Sequence, residues 1–161
     1  MPIFEPSTRE MVANIRLGMR VDRAAAVAVN GGTLFTVTGG RVIVTAILGE
    51  QTVLNDGTAS TLQLSHLRTD VITPVATVLS AATATTANAT AGTMYSLPAA
   101  VATAMVTSVN NSAMMIGLAP EFIVLATGSL KIVVGVGSTT GAIKWSLFYI
   151  PFDDGAYVTA A

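Results

Sequence analysis

The stretch IKWSLFYI, residues 143–150, decides the fold, because its side chains alternate as they do on a β-strand. One face carries four large apolar side chains, Ile143, Trp145, Leu147 and Tyr149. The other face begins polar and ends apolar, in the order Lys144, Ser146, Phe148 and Ile150. A strand that is apolar on both faces needs a cover on both sides of its sheet. Phe148 and Ile150 therefore predict a subunit interface or a cover made by the N-terminal segment or a loop. The sequence leaves these alternatives open.

Outward from this stretch, β-branched runs alternate with glycine and asparagine turns. The predicted strands are 34–38, 41–48, 61–66, 71–79, 99–109, 122–126, 130–136, 142–152 and 157–159. Gly39-Gly40 predicts a hairpin between the first two, and Pro74 predicts that 71–79 is an edge strand. Short strands at this spacing predict an all-β domain over residues 24–161, a β-sandwich or jelly roll.

Residues 1–23 differ in composition, since they hold four of the eight basic residues and three of the nine acidic ones. Ser7 and Glu10 match a helix capping box, and Met11, Ile15 and Met19 recur at helical spacing. We therefore predict a short N-terminal arm, helical or extended, that either crosses its own domain or reaches a neighbour. Its candidate partner-contact residues are Arg9, Arg16, Arg20 and Arg23.

The rest of the chain is unusually poor in charge. Charged residues make up 11% of the chain, against about 25% in ordinary soluble domains, and residues 71–120 contain none. Within that span, AATATTANATAGT (residues 81–93) is low in complexity and predicts a long exposed loop or a weak edge hairpin. A surface of this kind is expected to be covered by copies of the chain or by a partner. The alternative is a secreted β protein with a threonine-rich surface.

The residues that usually carry catalysis are missing or isolated. The chain has no cysteine and a single histidine, His66, and it matches neither a phosphate-binding loop nor a nucleophile elbow. Asp153-Asp154-Gly155 is typical of a turn more than of a calcium site. A net charge of −1 indicates neither nucleic acid nor an anionic membrane as partner. We expect no catalytic residue, no metal and no cofactor, and neither a secretory signal nor a transmembrane helix.

Two segments give the chain a resemblance to a known family. GGTLFTVTGGRVIVTAILGE (residues 31–50) and TGAIKWSLFYIPFDDGAYV (residues 140–158) resemble the head decoration, or cement, proteins of tailed bacteriophages. The excess of Thr, Ala and Val, the absence of cysteine and the N-terminal arm agree with this resemblance.

The resemblance implies a virion protein, made in the cytoplasm of the bacterial host, with no catalytic residues. Its subunit would be a β-sandwich or jelly roll, commonly a homotrimer, bound to the major capsid protein on the capsid surface. It would reinforce the shell, and the arm, residues 1–23, would make some of the contacts. Two alternatives stay open: another virion component (a tail, fibre or minor capsid subunit), or a carbohydrate-binding β-sandwich.

Overall fold

The computed structural model describes residues 17–98, 100, 103–108, 122–137 and 140–161, and these form two antiparallel sheets. The strands are β1 Met19–Ala26, β2 Thr33–Thr38, β3 Val42–Val53, β4 Leu62–Arg68, β5 Ala76–Val78, β6 Met94–Ser96, β7 Val106–Thr107, β8 Ile123–Leu125, β9 Gly128–Val134, β10 Ala142–Pro151 and β11 Tyr157–Ala160. Sheet A has the order β1-β10-β3-β6-β7, with β8 also paired to β3, and sheet B has the order β11-β2-β9-β4-β5.

The strand pairing is that of a jelly roll. In eight of the strands, the first pairs with the last and the pairing continues inward: β1 with β10, β2 with β9, β3 with β6 and β4 with β5. β7, β8 and β11 lie outside this scheme. Such a ladder folds over so that alternate pairs fall in opposite sheets, which produces two Greek keys around one core. The predicted all-β sandwich is confirmed.

The core lies between the two sheets and is centred on β10. Ile143, Trp145, Leu147 and Tyr149 are each less than a twentieth exposed, as their alternation predicted. Sheet B closes the core with the inward side chains of its central strands, among them Phe35, Leu64, Leu130 and Ile132. Burial of large side chains of this kind contributes about 1.5–3 kcal/mol each.

The low-complexity segment is a loop that is anchored to the fold by a few buried hydroxyl side chains, while other residues of it are exposed. Thr83 and Thr86 are buried, and Ser80 just before the segment is completely buried. The Leu62 amide donates to the Thr83 hydroxyl over 2.9 Å, and the Thr83 amide donates to the Leu62 carbonyl over 2.8 Å. The chain after β5 therefore continues along β4, with hydroxyl groups taking the place of some backbone acceptors. The predicted loop is therefore partly exposed, and small hydroxyl side chains attach it to this edge without a bulky core residue.

The arm prediction needs correction at its C-terminal end, because residues 19–23 belong to β1 and are not helical. The boundary drawn between residues 23 and 24 thus falls inside a strand, whose Val21 packs against the core. Gly18 precedes this strand with a φ of +79°, a conformation that ends helices. The rest of the proposed helix, including its capping box, lies outside the described residues.

Other strand predictions were partly wrong. Gly39-Gly40 does not form a hairpin, since β2 lies in sheet B and β3 in sheet A. A side chain at Gly39 would overlap the carbonyl of Gly155, so the turn is fitted against the corner between β10 and β11. The strand predicted at 71–79 shortens to β5, which is an edge strand as Pro74 indicated. Of the strand predicted at 99–109, the described part contains β7. β6 was missed.

Candidate interaction surfaces

The charges of the described residues are largely neutralised within the molecule. Four ion pairs join Arg20 to Asp22, Arg41 to Asp153, Arg68 to Asp70 and Lys144 to Glu50, at 2.7–3.0 Å. The Arg23 Nε donates to the carbonyl of Ala161 over 3.2 Å. Lys131 is the basic side chain left without an ion pair or hydrogen bond to another described residue. The described surface therefore offers a partner mainly apolar and hydroxyl groups.

Two of the four predicted arm arginines have partners within the fold. Arg20 lies on β1 with its guanidinium carbon 5.8 Å from the centre of the Phe148 ring, and its Nε bonds Asp22 at 2.8 Å. Burial raises the pKa of Asp22, but the hydrogen bonds from Ser146 and Arg20 outweigh it, so the pKa lies below its ordinary value. Arg23 contacts the C-terminal residue, as described above. Arg9 and Arg16 lie outside the described residues.

The outer face of sheet A has an apolar end, which we call the apolar patch and which comprises Ile43, Val124, Phe148 and Ile150. Ile150 pairs directly with Ile43, and Ile43 with Val124, so these three side chains cross three adjacent strands in one row. Val124 is 51% exposed and Ile150 is 39% exposed. Both residues predicted as a subunit interface, Phe148 and Ile150, therefore belong to one surface. At the other end of this face, Lys144 bonds Glu50 across the strands.

The chain enters β1 by passing over the apolar patch. The hydroxyl of Thr45, on β3, donates a hydrogen bond to the carbonyl of Leu17. A side chain at Gly18 would overlap the Tyr149 carbonyl and come within 2.8 Å of the Ile150 side chain. Because β1 and β3 flank β10 on opposite sides, residues 17 and 18 cross β10 on the face that carries Ile150.

A second exposed apolar surface lies at the edge of sheet B. We call it the β4–β5 loop, residues 69–75, which continues into β5. Ile72 is 104% exposed and Val75 70%, and every residue of β5 is exposed. The base of the loop is fixed, since Arg68 bonds both carboxylate oxygens of Asp70 and the Thr69 amide donates to the Thr127 carbonyl. The exposed side chains are thus held on an ordered support.

Asp153 and His66, two titratable residues singled out in the sequence, both lie in the framework of the fold. Asp153 accepts hydrogen bonds from the Arg41 amide, Nε and Nη2 at 2.8–2.9 Å, which lowers its pKa to about 2. His66 is 5% exposed, and burial lowers its pKa. Within the described ranges, no three His, Cys, Asp or Glu side chains come together as metal ligands. These residues hold the corner between β10 and β11 and the inner side of β4.

Comparison with protein-family models, with curated proteins and with solved structures found no match to this chain. In the part of the chain that the structure describes, no helix is long and apolar enough to span a membrane. The case for a function therefore depends on the two surfaces described above.

Proposed function

We propose that this chain is a non-enzymatic structural protein of a tailed-bacteriophage particle, which binds the outside of the capsid as a homotrimer and stabilises the shell. The observation that carries the proposal is the β4–β5 loop, which presents Ile72 and Val75 to solvent from an ordered base. A protein that acts alone in solution rarely keeps such side chains exposed at the edge of a sheet.

The energetics of a symmetric assembly support this role. Burying apolar surface contributes about 25 cal/mol per Å², and a stable interface covers about 800 Å² on each partner. A trimer repeats each contact around its axis, so modest contacts with the major capsid protein add through multivalency. A jelly roll occurs in viral capsid proteins and also in lectins, so the fold alone does not decide between them.

The subunit contact is tested by size-exclusion chromatography with light scattering. We expect the wild-type chain to be trimeric and Ile72→Asp to shift it towards monomer, because the substitution would bury a charge in the interface. Thr159→Asp is the matched control, since Thr159 is exposed on the opposite edge strand of the same sheet, β11. A monomeric wild-type chain would refute the trimer.

The capsid contact is tested separately by co-sedimentation with shells assembled from the major capsid protein of the same virus. We expect the wild-type chain to sediment with the shells and to raise the temperature at which they disassemble. Absence of binding to these shells would refute the decoration role. Finding the protein in the tails or fibres of the particle would instead assign it to one of those virion components.

A glycan-binding role is the second candidate, and one observation favours it. Tyr157 is 48% exposed beside the turn before β11, whereas the Arg41 guanidinium carbon lies over the Phe152 ring, 4.5 Å from its centre. The single tryptophan, Trp145, is 1% exposed and is not available for stacking on a sugar. Binding on a glycan array that Tyr157→Ala abolishes would support this role in place of the first.

A further inference from the structure

We propose that the apolar patch on sheet A is the docking site for residues 1–16 of the same chain. The sequence left three covers open for Phe148 and Ile150, namely a neighbouring subunit, the protein's own N-terminal segment and a loop. The path of the chain at residues 17 and 18 favours the second. This inference does not depend on the virion role and would hold for any function of the chain.

The first observation is the position of Leu17, where the described chain begins. Leu17 is already on the outer face of sheet A, where its carbonyl accepts the hydrogen bond from Thr45 on β3. Gly18 is buried, and it lies so close to the Tyr149 carbonyl on β10 that no larger residue fits at position 18. The segment that precedes Leu17 therefore starts from the middle of the sheet, beside Ile43 and Ile150, and not from its edge.

The second step is the match in chemistry and in length. The segment carries apolar side chains near its junction with the fold, Met11, Val12 and Ile15, which suit the apolar patch. Adjacent strands are about 4.8 Å apart, so the row from Ile150 to Val124 spans about 10 Å, which a few extended residues can cover.

The test uses the full-length chain with one nitroxide label. Because the protein has no cysteine, Val12→Cys provides a single site for labelling. We expect the label to abolish most of the amide NMR signal of Ile43, Val124 and Ile150. The signals of Val53 and Ala142, paired at the far end of β3 and β10 and about 25 Å from Ile150, should be largely retained and serve as the internal control.

A mixed sample identifies whose segment occupies the patch. Isotope-labelled chains without nitroxide are mixed with unlabelled chains that carry it. Docking within one chain predicts no loss of signal in the mixture. Loss at Ile43 and Ile150 in the mixture would overturn the proposal in favour of a segment from a second copy. An absence of loss in both samples would also overturn it.

A second measurement avoids the label at Val12. Trypsin can cut after Arg9 and Arg16, and a docked segment must open before it is cleaved. We expect Val124→Asp, at a position that is 51% exposed, to speed this cleavage by about tenfold or more. Thr159→Asp is the control and should leave the rate unchanged. Equal cleavage rates for Val124→Asp and the wild-type chain would overturn the proposal even if the label disturbs docking.

Discussion

Gly49 of β3 lies directly opposite Trp145 of β10, and a Cβ atom at Gly49 would stand 2.8 Å from the indole ring. On its other side, Gly49 pairs with Tyr95 of β6, which is completely buried. The glycine thus makes room for two large aromatic side chains in one row across sheet A. Overpacking at such a position is expected to be costly.

Gly49→Ala should lower the free energy of unfolding by about 1–3 kcal/mol, because the added methyl group must displace the indole ring. Trp145 is the single tryptophan, so its fluorescence reports both the local change and the urea transition. Gly137→Ala is the control, since nothing lies within 4 Å of a Cβ atom there. Equal stability of the two variants would show that the indole ring of Trp145 can move aside without a loss of stability.

The alternation of β10 was readable in the sequence because burial on one face of a strand repeats every second residue. The same pattern correctly separated Trp145 from Phe148. It could not show that β1 was a strand, since Met11, Ile15 and Met19 also satisfy a helical spacing. Gly18 interrupts the helical spacing before Met19. Its conformation depends on contacts with Tyr149 and Ile150, which are distant in sequence.

The two interaction surfaces were only partly predictable. Phe148 and Ile150 were identified from alternation, but their neighbours Ile43 and Val124 depend on a register that only the paired strands define. The β4–β5 loop was hidden inside a predicted strand, because Val71, Ile72 and Val75 have high β propensity wherever they lie. Charge depletion of residues 71–120 was the one signal that pointed to this loop.

Thr83→Val should destabilise the protein by about 1–3 kcal/mol, because it leaves the buried Leu62 amide without its side-chain acceptor. The substitution keeps the shape of the side chain, so the loss reports the hydrogen bond. Thr159→Val is the matched control at an exposed strand position. Both are measured by urea denaturation. A stability of Thr83→Val equal to the control would mean that the segment after β5 contributes little to the edge of β4.

Arg41 should hold the pKa of Asp153 at about 2, through the hydrogen bonds to both of its carboxylate oxygens. In Arg41→Gln, which keeps the backbone amide, we expect this pKa to rise towards its ordinary value of 3.8. The measurement is an NMR titration of the side-chain carboxyl carbons. Arg68→Gln is the control, because Arg68 bonds Asp70 instead, and it should leave the titration of Asp153 unchanged. An unchanged midpoint in Arg41→Gln would contradict the assigned cause.

The single histidine should make stability depend on pH near neutrality. Burial lowers the pKa of His66, a hydrogen bond to the Ala126 backbone opposes this, and its Nε2 has no hydrogen-bond partner. The unfolded chain, with a histidine pKa of about 6.5, therefore binds the proton more readily than the folded chain does. The contribution of neutral His66 to the free energy of unfolding is fully present above pH 6.5. It is lost as the pH falls through 6.5 towards the lower pKa of the folded state.

We expect urea denaturation, followed by Trp145 fluorescence, to show this loss between about pH 7.5 and pH 5.5 in the wild-type chain. His66→Gln cannot titrate, so its stability should change much less over the same interval. Equal pH dependence in the two proteins over this interval would contradict the assignment of the effect to His66.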